Sequence, residues 1–297
     1  MKFEGVIPAL VTPFDRKTEE IDYAALAGIT DRLIRQGIGG LFVCGSTGEW
    51  WAMNAEERMK VVETTLDAAA GRTKIMVHVG ANSTREAIAL ARHAEKAGAQ
   101  AISLLPPVGR PYPPAQVWEH FRAVGASCSL PLYLYHLPQV YGDLITIDTF
   151  VEAMDTMPTL RGAKFSSYRI DDLIHLKIKA QGRLNILSGC AEQLLSATVN
   201  GAEGSICSWY NFIPRLGNRI IELARQNRIA EASALQDSLV NFGMLCISNV
   251  MGNLKWLIAE RGTDVGIPRR PLLPPTAEER AKLLPAIQKT GILEWAL

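Results

Sequence analysis

The stretch Arg161-Gly162-Ala163-Lys164-Phe165-Ser166-Ser167 places one lysine in a short run of small and apolar residues. Such a run is typical of the end of a buried strand. A lysine there is costly, because an ammonium group in an apolar wall must be paired or must give up its charge for part of the time. A neutral amine is a nucleophile toward carbonyl groups. Lys164 is therefore either the exposed end of a strand, where most lysines lie, or a reactive amine.

Short apolar runs recur on both sides of this stretch and alternate with longer amphipathic segments. The runs are mostly continuous, which is typical of parallel strands covered on both faces. The predicted strands are residues 6–12, 40–44, 75–79, 101–105, 132–135, 161–165, 184–187 and 204–208. Helix start signals at Asn54 and Ser83 and a stop signal at Gly98 stand between them. Eight strand-helix units favour an α/β fold, a (β/α)8 TIM barrel, over a doubly wound sheet.

The pattern after the eighth strand is helical only. We therefore predict a (β/α)8 barrel in residues 1–212, followed in the same domain by the last barrel helix and a C-terminal helical extension in residues 213–297. No flexible Gly/Ser linker separates the two parts. A proline-rich connector at residues 268–275 precedes a last helix that begins near Thr276.

The composition excludes several classes of function. The chain has 297 residues, is 48% hydrophobic and has a formal net charge of +1, without the basic run of a nucleic-acid binder. Five cysteines, an odd number without a CxxC pair, are typical of reduced thiols. No signal peptide is present at the start, and no apolar stretch is long and charge-free enough to span a bilayer. We expect a cytoplasmic protein with no nucleic-acid or membrane partner.

The active site of such a barrel lies at the carboxyl ends of the strands. The loop after the second strand, Gly45-Ser46-Thr47-Gly48-Glu49, combines glycines with hydroxyl groups close to a helix start. Hydroxyl and N–H groups that converge there suit a carboxylate. The alternative is an ordinary strand-helix turn with a capping serine.

The fifth strand ends in Tyr133-Leu134-Tyr135-His136-Leu137-Pro138, with two tyrosines on one face. A tyrosine here can direct its hydroxyl into the barrel mouth and relay protons, or it can pack against the barrel wall. The seventh and eighth strands end in the polar runs Ser188-Gly189-Cys190-Ala191-Glu192-Gln193 and Ile206-Cys207-Ser208-Trp209-Tyr210-Asn211. Both runs are candidates to complete a site around Lys164.

Cysteines and histidines offer a different chemistry. Cys44, Cys190 and Cys207 fall at strand ends, so a metal or thiol site is conceivable, although buried cysteines more often act as small apolar residues. His78 and His136 are candidate acids or bases, with satisfied polar groups as the simpler interpretation. We predict no metal site and no cofactor.

Four motifs in one order now make a resemblance plain: the loop at residues 45–49, Tyr135-His136-Leu137-Pro138, Gly162-Ala163-Lys164-Phe165-Ser166, and Gly189-Cys190-Ala191-Glu192-Gln193-Leu194-Leu195-Ser196. The chain resembles, over its whole length, the pyruvate-dependent class I aldolases of the N-acetylneuraminate lyase and dihydrodipicolinate synthase superfamily, on the N-acetylneuraminate lyase side. The resemblance implies a lyase, without cofactor, that cleaves or forms a 2-oxo acid with pyruvate as product or donor. It also implies an aldehyde as the second substrate and a homotetramer.

The resemblance also implies the roles of single residues. Lys164 would form the Schiff base, Tyr135 would shuttle the proton, and Ser46 would connect Tyr135 to further hydroxyls. The substrate-binding residues would be Ser46, Thr47, Ser166, Gly189, Glu192, Ile206 and Ser208, with Ser46 and Thr47 on the keto-acid carboxylate. An imine at Lys164 would act as an electron sink for the adjacent carbon, so the chemistry needs no metal.

The sequence departs from the family at the acceptor end. Synthases carry an arginine where Val140 stands, and sialic acid lyases carry a carboxylate where Ala191 stands. Trp50 and Trp51 follow the second strand where smaller residues are common, and they can narrow the mouth or line a subunit contact. We therefore expect acceptors with fewer hydroxyls than N-acetylmannosamine and without a second carboxylate.

Two other functions stay open from the sequence. A dehydratase or aldolase of a 2-keto-3-deoxy sugar acid would use the same lysine. A ligand-binding relative without catalysis is the alternative from another class, and the presence of both Lys164 and Tyr135 counts against it.

Overall fold

Eight parallel strands form the centre of the computed structural model, which describes residues 2–108, 110–142 and 144–297. The strands are β1 (Gly5–Pro8), β2 (Leu41–Val43), β3 (Ile75–His78), β4 (Ala101–Leu104), β5 (Leu132–His136), β6 (Leu160–Phe165), β7 (Asn185–Ser188) and β8 (Gly204–Cys207). They are hydrogen-bonded in the order β1-β8-β7-β6-β5-β4-β3-β2. The ring closes where Ala9 bridges Phe42 and the Leu10 N–H donates to the Phe42 carbonyl over 2.9 Å. The predicted (β/α)8 barrel is confirmed.

The inside of the barrel is a packed core. Its buried side chains are Phe3, Ile7, Ala9, Phe42, Met76, Ala101, Leu105, Tyr133, Tyr135, Leu187 and Ile206. A larger apolar cluster lies between the outer face of the strands and the helices. Burial on both faces explains why the strands appear in the sequence as continuous apolar runs. Tyr133 and Tyr135 both belong to the inner cluster, so the prediction that they share a face is confirmed.

Helices cover the barrel between the strands. They are α1 (Tyr23–Ile34), α2 (Ala55–Ala69), α3 (Thr84–Ala97), α4 (Pro114–Gly125), α5 (Pro138–Tyr141), α6 (Ile147–Thr156), α7 (Ile170–Ala180) and α8 (Leu194–Val199). Asn54 caps α2 and Ser83 caps α3, each accepting a hydrogen bond from a backbone N–H of the first turn. Gly98 ends α3 with φ of 94°, a conformation that favours glycine. These predicted start and stop signals are confirmed.

The C-terminal part consists of α9 (Pro214–Arg225), α10 (Ile229–Cys246), α11 (Val250–Glu260) and α12 (Ala277–Lys289). A capping box at Thr276 starts α12, as predicted. The connector pairs with the barrel, because the Ile267 N–H donates to the Phe14 carbonyl over 3.1 Å. The C-terminal helical extension is thus confirmed, whereas its assignment to one domain with a boundary at residue 212 stays a prediction.

One helical stretch bears on the prediction that no segment is long and apolar enough to span a bilayer. By length and composition alone, residues Ile229–Glu260 would pass as a membrane span, which the sequence analysis excluded. However, 56% of the most apolar window is buried within the fold, and such burial is typical of a core helix in a globular protein.

The first strand is shorter than predicted. The sequence favoured residues 6–12, but β1 ends at Pro8. Beyond Ala9 the chain leaves the sheet, and the polar groups of Thr12 find other partners: its hydroxyl donates to the Gly48 carbonyl over 2.8 Å, and its carbonyl accepts from Lys255 over 2.7 Å. An apolar run alone does not show where the ladder ends.

Candidate active site

Lys164 lies inside the barrel, near the carboxyl end of β6, and only 4% of it is exposed. The interpretation of Lys164 as an exposed strand end is therefore wrong. Its Nζ lies 3.8 Å from the centroid of the Tyr135 ring and 4.3 Å from that of Phe42. Within the described part of the chain, no carboxylate oxygen lies within 4.0 Å of this nitrogen. The amine thus packs against aromatic faces and has no counter-charge in contact.

Tyr135 is brought to Lys164 by the sheet itself. The two residues are paired in the register of β5 and β6. Gly162 permits the close approach of these strands, since a Cβ there would stand 2.2 Å from the ring of Tyr133. Tyr135 is 5% exposed and packs edge-on against Phe42, with ring centroids 6.0 Å apart.

A second tyrosine stands beside Tyr135. Tyr141 ends the short helix α5 and packs against the inner cluster that contains Tyr135. Burial raises the pKa of Tyr141 to about 12, and the proximity of Tyr135 adds to the shift. Its phenol is therefore neutral at pH 7. The sequence analysis missed Tyr141, although its position six residues after Tyr135 in the same loop was a usable signal.

The loop at residues 45–49 has the polar groups that were predicted for it. Thr47 is 4% exposed, and its Oγ1 lies 2.7 Å from Oγ of Ser208, so the ends of β2 and β8 are joined by hydroxyls. Ser46 is half-buried. Among the residues that the structure describes, the backbone N–H groups of Ser46 and Thr47 find no acceptor. Unbonded N–H groups on successive loop residues are a typical seat for an anion.

Ser166 and Gly189 meet between β6 and β7. Gly189 donates its N–H to the Phe165 carbonyl over 2.7 Å. A Cβ at Gly189 would stand 1.7 Å from Ser166 Oγ, so only glycine fits here. Ser166 follows Lys164 by two residues and therefore faces the same side. Its buried Oγ has no hydrogen-bond partner in residues 2–108, 110–142 and 144–297, so it is available to a ligand.

The remaining predicted residues lie around the ends of β7 and β8. Ile206 is fully buried in the inner cluster with Tyr135, and Ser208 is half-buried. Glu192 is half-buried in the turn after β7. Burial first, and the Glu192 carboxylate next, raise the pKa values of Cys190 and Cys207 to about 12 each. Thiols with raised pKa values are poor nucleophiles, which weakens the thiol-site alternative.

His78, which the sequence offered as a candidate acid or base or a satisfied polar group, ends β3 and lies beside this site. Its Nδ1 lies 3.0 Å from the Cys44 carbonyl, while its buried Nε2 has no partner in the described chain. Burial, and then the charge of Arg58, hold the pKa of His78 well below its usual range. The ring is therefore neutral with the proton on Nδ1. The expectation of a satisfied polar group is correct for one nitrogen only.

Of the two tryptophans, only one turns inward. Trp50 is 7% exposed and lies 5.4 Å from His78 between ring centroids, whereas Trp51 is 49% exposed. Since His78 is itself 6.3 Å from Tyr135, the indole of Trp50 extends the aromatic wall that surrounds Lys164. Of the two, Trp50 is the one that can narrow the mouth of the barrel, whereas the exposed Trp51 can line a subunit contact.

Comparisons with known proteins agree with this geometry. A model of the Dihydrodipicolinate synthetase family matches residues 2–290. The N-acetylneuraminate lyase of Rhizobium meliloti is 32% identical over 297 residues, which cover 99% of this chain and 97% of that protein. The N-acetylneuraminate lyase of Mediterraneibacter gnavus is 31% identical over 277 residues, 91% of this chain and 87% of that protein. The structure of Ruminococcus gnavus sialic acid aldolase matches with a TM-score of 0.93 and 29% identity, covering 99% of each chain.

The barrel and these matches define a lyase of the pyruvate-dependent class I aldolase type. The chain belongs to the Dihydrodipicolinate synthetase family, and its similarities lie on the N-acetylneuraminate lyase side. Both the resemblance and the enzyme class that the sequence predicted are confirmed.

Proposed function

We propose that this protein cleaves or forms a 2-oxo acid through an imine between Lys164 Nζ and the C2 carbon of pyruvate. The observation that carries the proposal is a buried amine without a carboxylate partner in the described chain, held against the ring of Tyr135. The amine adds to the ketone and water leaves. In the direction of cleavage the imine is formed with C2 of the longer 2-oxo acid. The protonated imine accepts the electron pair of the C3–C4 bond and becomes an enamine, and the hydroxyl-bearing C4 loses its hydroxyl proton and leaves as an aldehyde. Protonation of the enamine and hydrolysis release pyruvate and restore the amine.

Tyr135 moves the proton in this scheme. Cleavage requires that the hydroxyl on the reacting carbon lose its proton as the carbon–carbon bond breaks. Tyr135 carries a hydroxyl on the ring that packs against Lys164, and Tyr141 lies close to Tyr135. Ser46 is the proposed link from Tyr135 to the hydroxyl pair of Thr47 and Ser208, which supplies acceptors for the proton.

The keto-acid carboxylate is assigned to the loop at residues 45–49. The free N–H groups of Ser46 and Thr47 and their hydroxyls supply the donors that a carboxylate needs. The other proposed contacts are Ser166, Gly189, Glu192, Ile206 and Ser208. Of these, Ser166 contributes a buried hydroxyl that is still unpaired in the described chain, and Ile206 contributes an apolar wall.

The experiment that tests the imine is reductive trapping. The protein is incubated with pyruvate and borohydride, digested, and mapped by mass spectrometry. We expect one reduced pyruvyl group on Lys164. No adduct, or an adduct on another lysine, would contradict the mechanism and favour the ligand-binding alternative.

For the acceptor we keep the expectation of few hydroxyls and no second carboxylate. Ala191 carries only a methyl group, so its side chain offers no hydrogen-bonding group to a sugar hydroxyl. Val140, which is 65% exposed, shares with Tyr141 and Leu144 a cavity of about 300 Å³ that is otherwise lined by the loop after β4. That loop brings Arg110 to the same cavity. Among the described residues that line this cavity, Arg110 is the one cationic group that can bind an acceptor carboxylate.

A panel of substrates tests whether the apolar acceptor end or Arg110 determines which aldehyde is preferred. Apolar aldehydes, carboxylated aldehydes and N-acetylmannosamine are compared in the direction of condensation, with Arg110→Ala as the matched variant. We expect apolar aldehydes to be preferred and Ala191→Asp to raise activity with N-acetylneuraminate. A preference for carboxylated aldehydes that Arg110→Ala removes would contradict the expectation. So would an unmodified protein that prefers N-acetylneuraminate to every less polar 2-oxo acid.

We also propose a cytoplasmic homotetramer. The large apolar residues Trp51, Met244, Ile247 and Leu273 are exposed, and aromatic residues and methionine are enriched at subunit contacts. The cysteines are free, as is usual in a reducing compartment. Light scattering coupled to size exclusion measures the assembly, and a monomer would contradict the proposed homotetramer. Cell fractionation measures the location, and a membrane-bound pool would contradict the proposed cytoplasmic location.

A further inference from the structure

A second buried lysine lies outside the proposed imine site. Lys255, on α11, is 1% exposed, and its Nζ lies 2.6 Å from Oε1 of Glu49, which is 0% exposed. The other carboxylate oxygen of Glu49 accepts the backbone N–H of Arg269 over 2.8 Å. Glu49 is the last residue of the loop at residues 45–49. The C-terminal extension is thus attached to that loop through one carboxylate.

Lys255 also holds the other segments around the loop. Its Nζ donates to the carbonyls of Thr12, over 2.7 Å, and Ile267, over 2.8 Å. Together with the ion-paired Glu49 carboxylate, these two carbonyls surround the ammonium group with three oxygens. Thr12 in turn donates its hydroxyl to the Gly48 carbonyl over 2.8 Å. Two consecutive residues of the loop, Gly48 and Glu49, are therefore fixed by one lysine, directly or through Thr12.

The backbone of the loop needs such a restraint. Glu49 has φ of 58°, in the left-handed region that a residue with a side chain rarely adopts. Its N–H donates to the Ser46 carbonyl over 3.0 Å, so the conformation of Glu49 sets the position of Ser46 and Thr47. The partnered carboxylate holds Glu49 in this strained conformation.

Stability alone is a poor reason for this pair. Removing two charges from water costs more than their attraction often returns, and apolar replacements of buried pairs are frequently neutral or stabilising. Burial lowers the pKa of Lys255 to about 8 and raises the pKa of Glu49, so burial opposes the charge on both members. Burial thus opposes the charges of this pair, and the pair is attached to a strained loop whose N–H donors are unbonded. This combination suggests a role in the site.

We propose that Glu49 and Lys255 are positioning residues that hold the donors of Ser46 and Thr47 in the geometry that binds the substrate carboxylate. The inference rests on the proposed function, in which that loop binds the keto acid. The ion pair contacts no substrate. It makes the affinity for the 2-oxo acid depend on the C-terminal extension, which carries neither Lys164 nor Tyr135.

The test separates position from stability with the double variant Glu49→Gln/Lys255→Met, which leaves no buried charge unpaired. Lys282→Met is the matched control, because it makes the same substitution in the same extension at an exposed pair with Glu278. The readout is the concentration of pyruvate that half-saturates borohydride trapping on Lys164, together with KM, kcat and the melting temperature. We expect half-saturation and KM to rise about 10-fold or more, because displaced donors bind the carboxylate poorly. The melting temperature and kcat should change little, and the control should match the unmodified protein.

Failure of the positioning role can be distinguished from failure of the proposed function. If the unmodified protein forms no adduct on Lys164, the proposed function is wrong. If it forms the adduct and the double variant half-saturates at the same pyruvate concentration, the positioning role is wrong. A loss confined to kcat would also overturn it. Glu49→Gln alone, which keeps a side-chain oxygen for the Arg269 N–H, serves if the double variant does not fold; if neither folds, the pair is needed for the fold and the proposal is overturned.

Discussion

Lys164 and Lys255 are both almost completely buried in one barrel, yet their surroundings differ. The Lys255 ammonium has three oxygen partners, one of them the Glu49 carboxylate. The Lys164 nitrogen lies against the rings of Phe42 and Tyr135, and no carboxylate of the described chain is in contact with it. Three oxygen partners hold the Lys255 ammonium in place, whereas the Lys164 nitrogen has no such partner in the described chain and is accessible to a substrate carbonyl. Partners, rather than burial, distinguish a structural lysine from a candidate nucleophile.

The largest expected effect comes from removing the first of these lysines. Lys164→Met should abolish the pyruvate adduct and reduce turnover below detection, because no other described group takes the place of the amine. The fold should be retained, since an apolar side chain suits the aromatic surroundings of Nζ. Borohydride trapping and thermal melting are the measurements. A variant that still forms the adduct would show that the nucleophile is elsewhere, with Lys255 as the first site to map.

The second-largest effect is expected from removing the hydroxyl of Tyr135, which tests proton transfer separately from imine formation. Tyr135→Phe keeps the ring against Lys164 but removes the hydroxyl, so turnover should fall by roughly two to four orders of magnitude. The imine should still form and be trapped. Steady-state kinetics and trapping, run on the same sample, check both statements. Near-normal turnover would return Tyr135 to the packing alternative that the sequence left open.

The third effect concerns stability. Lys255→Met alone leaves the Glu49 carboxylate buried without its partner, so the free energy of unfolding should fall by about 3–5 kcal/mol. The double variant Glu49→Gln/Lys255→Met should recover most of that loss. Urea denaturation measures both, with Lys164→Met as the comparison that removes a buried lysine without orphaning a carboxylate. Equal losses in Lys255→Met and Lys164→Met would show that the partners do not matter.

The sequence predicts the features that follow from local pattern, which include the position of Lys164, but not the contacts between distant segments, which include the partners of Lys255. The eight apolar runs, and the placement of Lys164, Tyr135 and the loop at residues 45–49 at strand ends, follow from local pattern and from the geometry of a parallel barrel. The pair of Glu49 and Lys255 does not, because its members are far apart in the chain and no local pattern indicates that they meet. Lys255 interrupts the apolar helical run at residues 254–258, but that run does not show that Glu49, Thr12 and Ile267 supply its oxygen partners.

The neighbours of Lys164 show the same limit. The sequence offered His78 as a candidate acid or base and missed Tyr141, because ring orientation decides what each does. Which nitrogen of His78 is bonded depends on the Cys44 carbonyl, which belongs to another strand end. The first strand was predicted too long because the apolar run continues past the point where Thr12 turns to Gly48 and Lys255. Tertiary partners, absent from any local pattern, set these details.

The smallest expected effect tests a third buried base, His78, whose pKa is held well below its usual range by burial first, by Arg58 next, and also by Lys164. Above the unfolded pKa, near 6.5, His78 is neutral in both states and stability does not depend on it. Below that value the unfolded chain binds a proton that the folded protein does not, so stability falls as the pH falls, by at most about 1.4 kcal/mol per pH unit. Urea denaturation of the unmodified protein and of His78→Gln at pH 7.5 and 5.5 isolates this contribution, since other groups titrate in both proteins. We expect the variant to lose less stability on acidification. If the two proteins lose the same amount, His78 takes up a proton in the folded state, and the positive charges of Arg58 and Lys164 do not govern this end of the barrel.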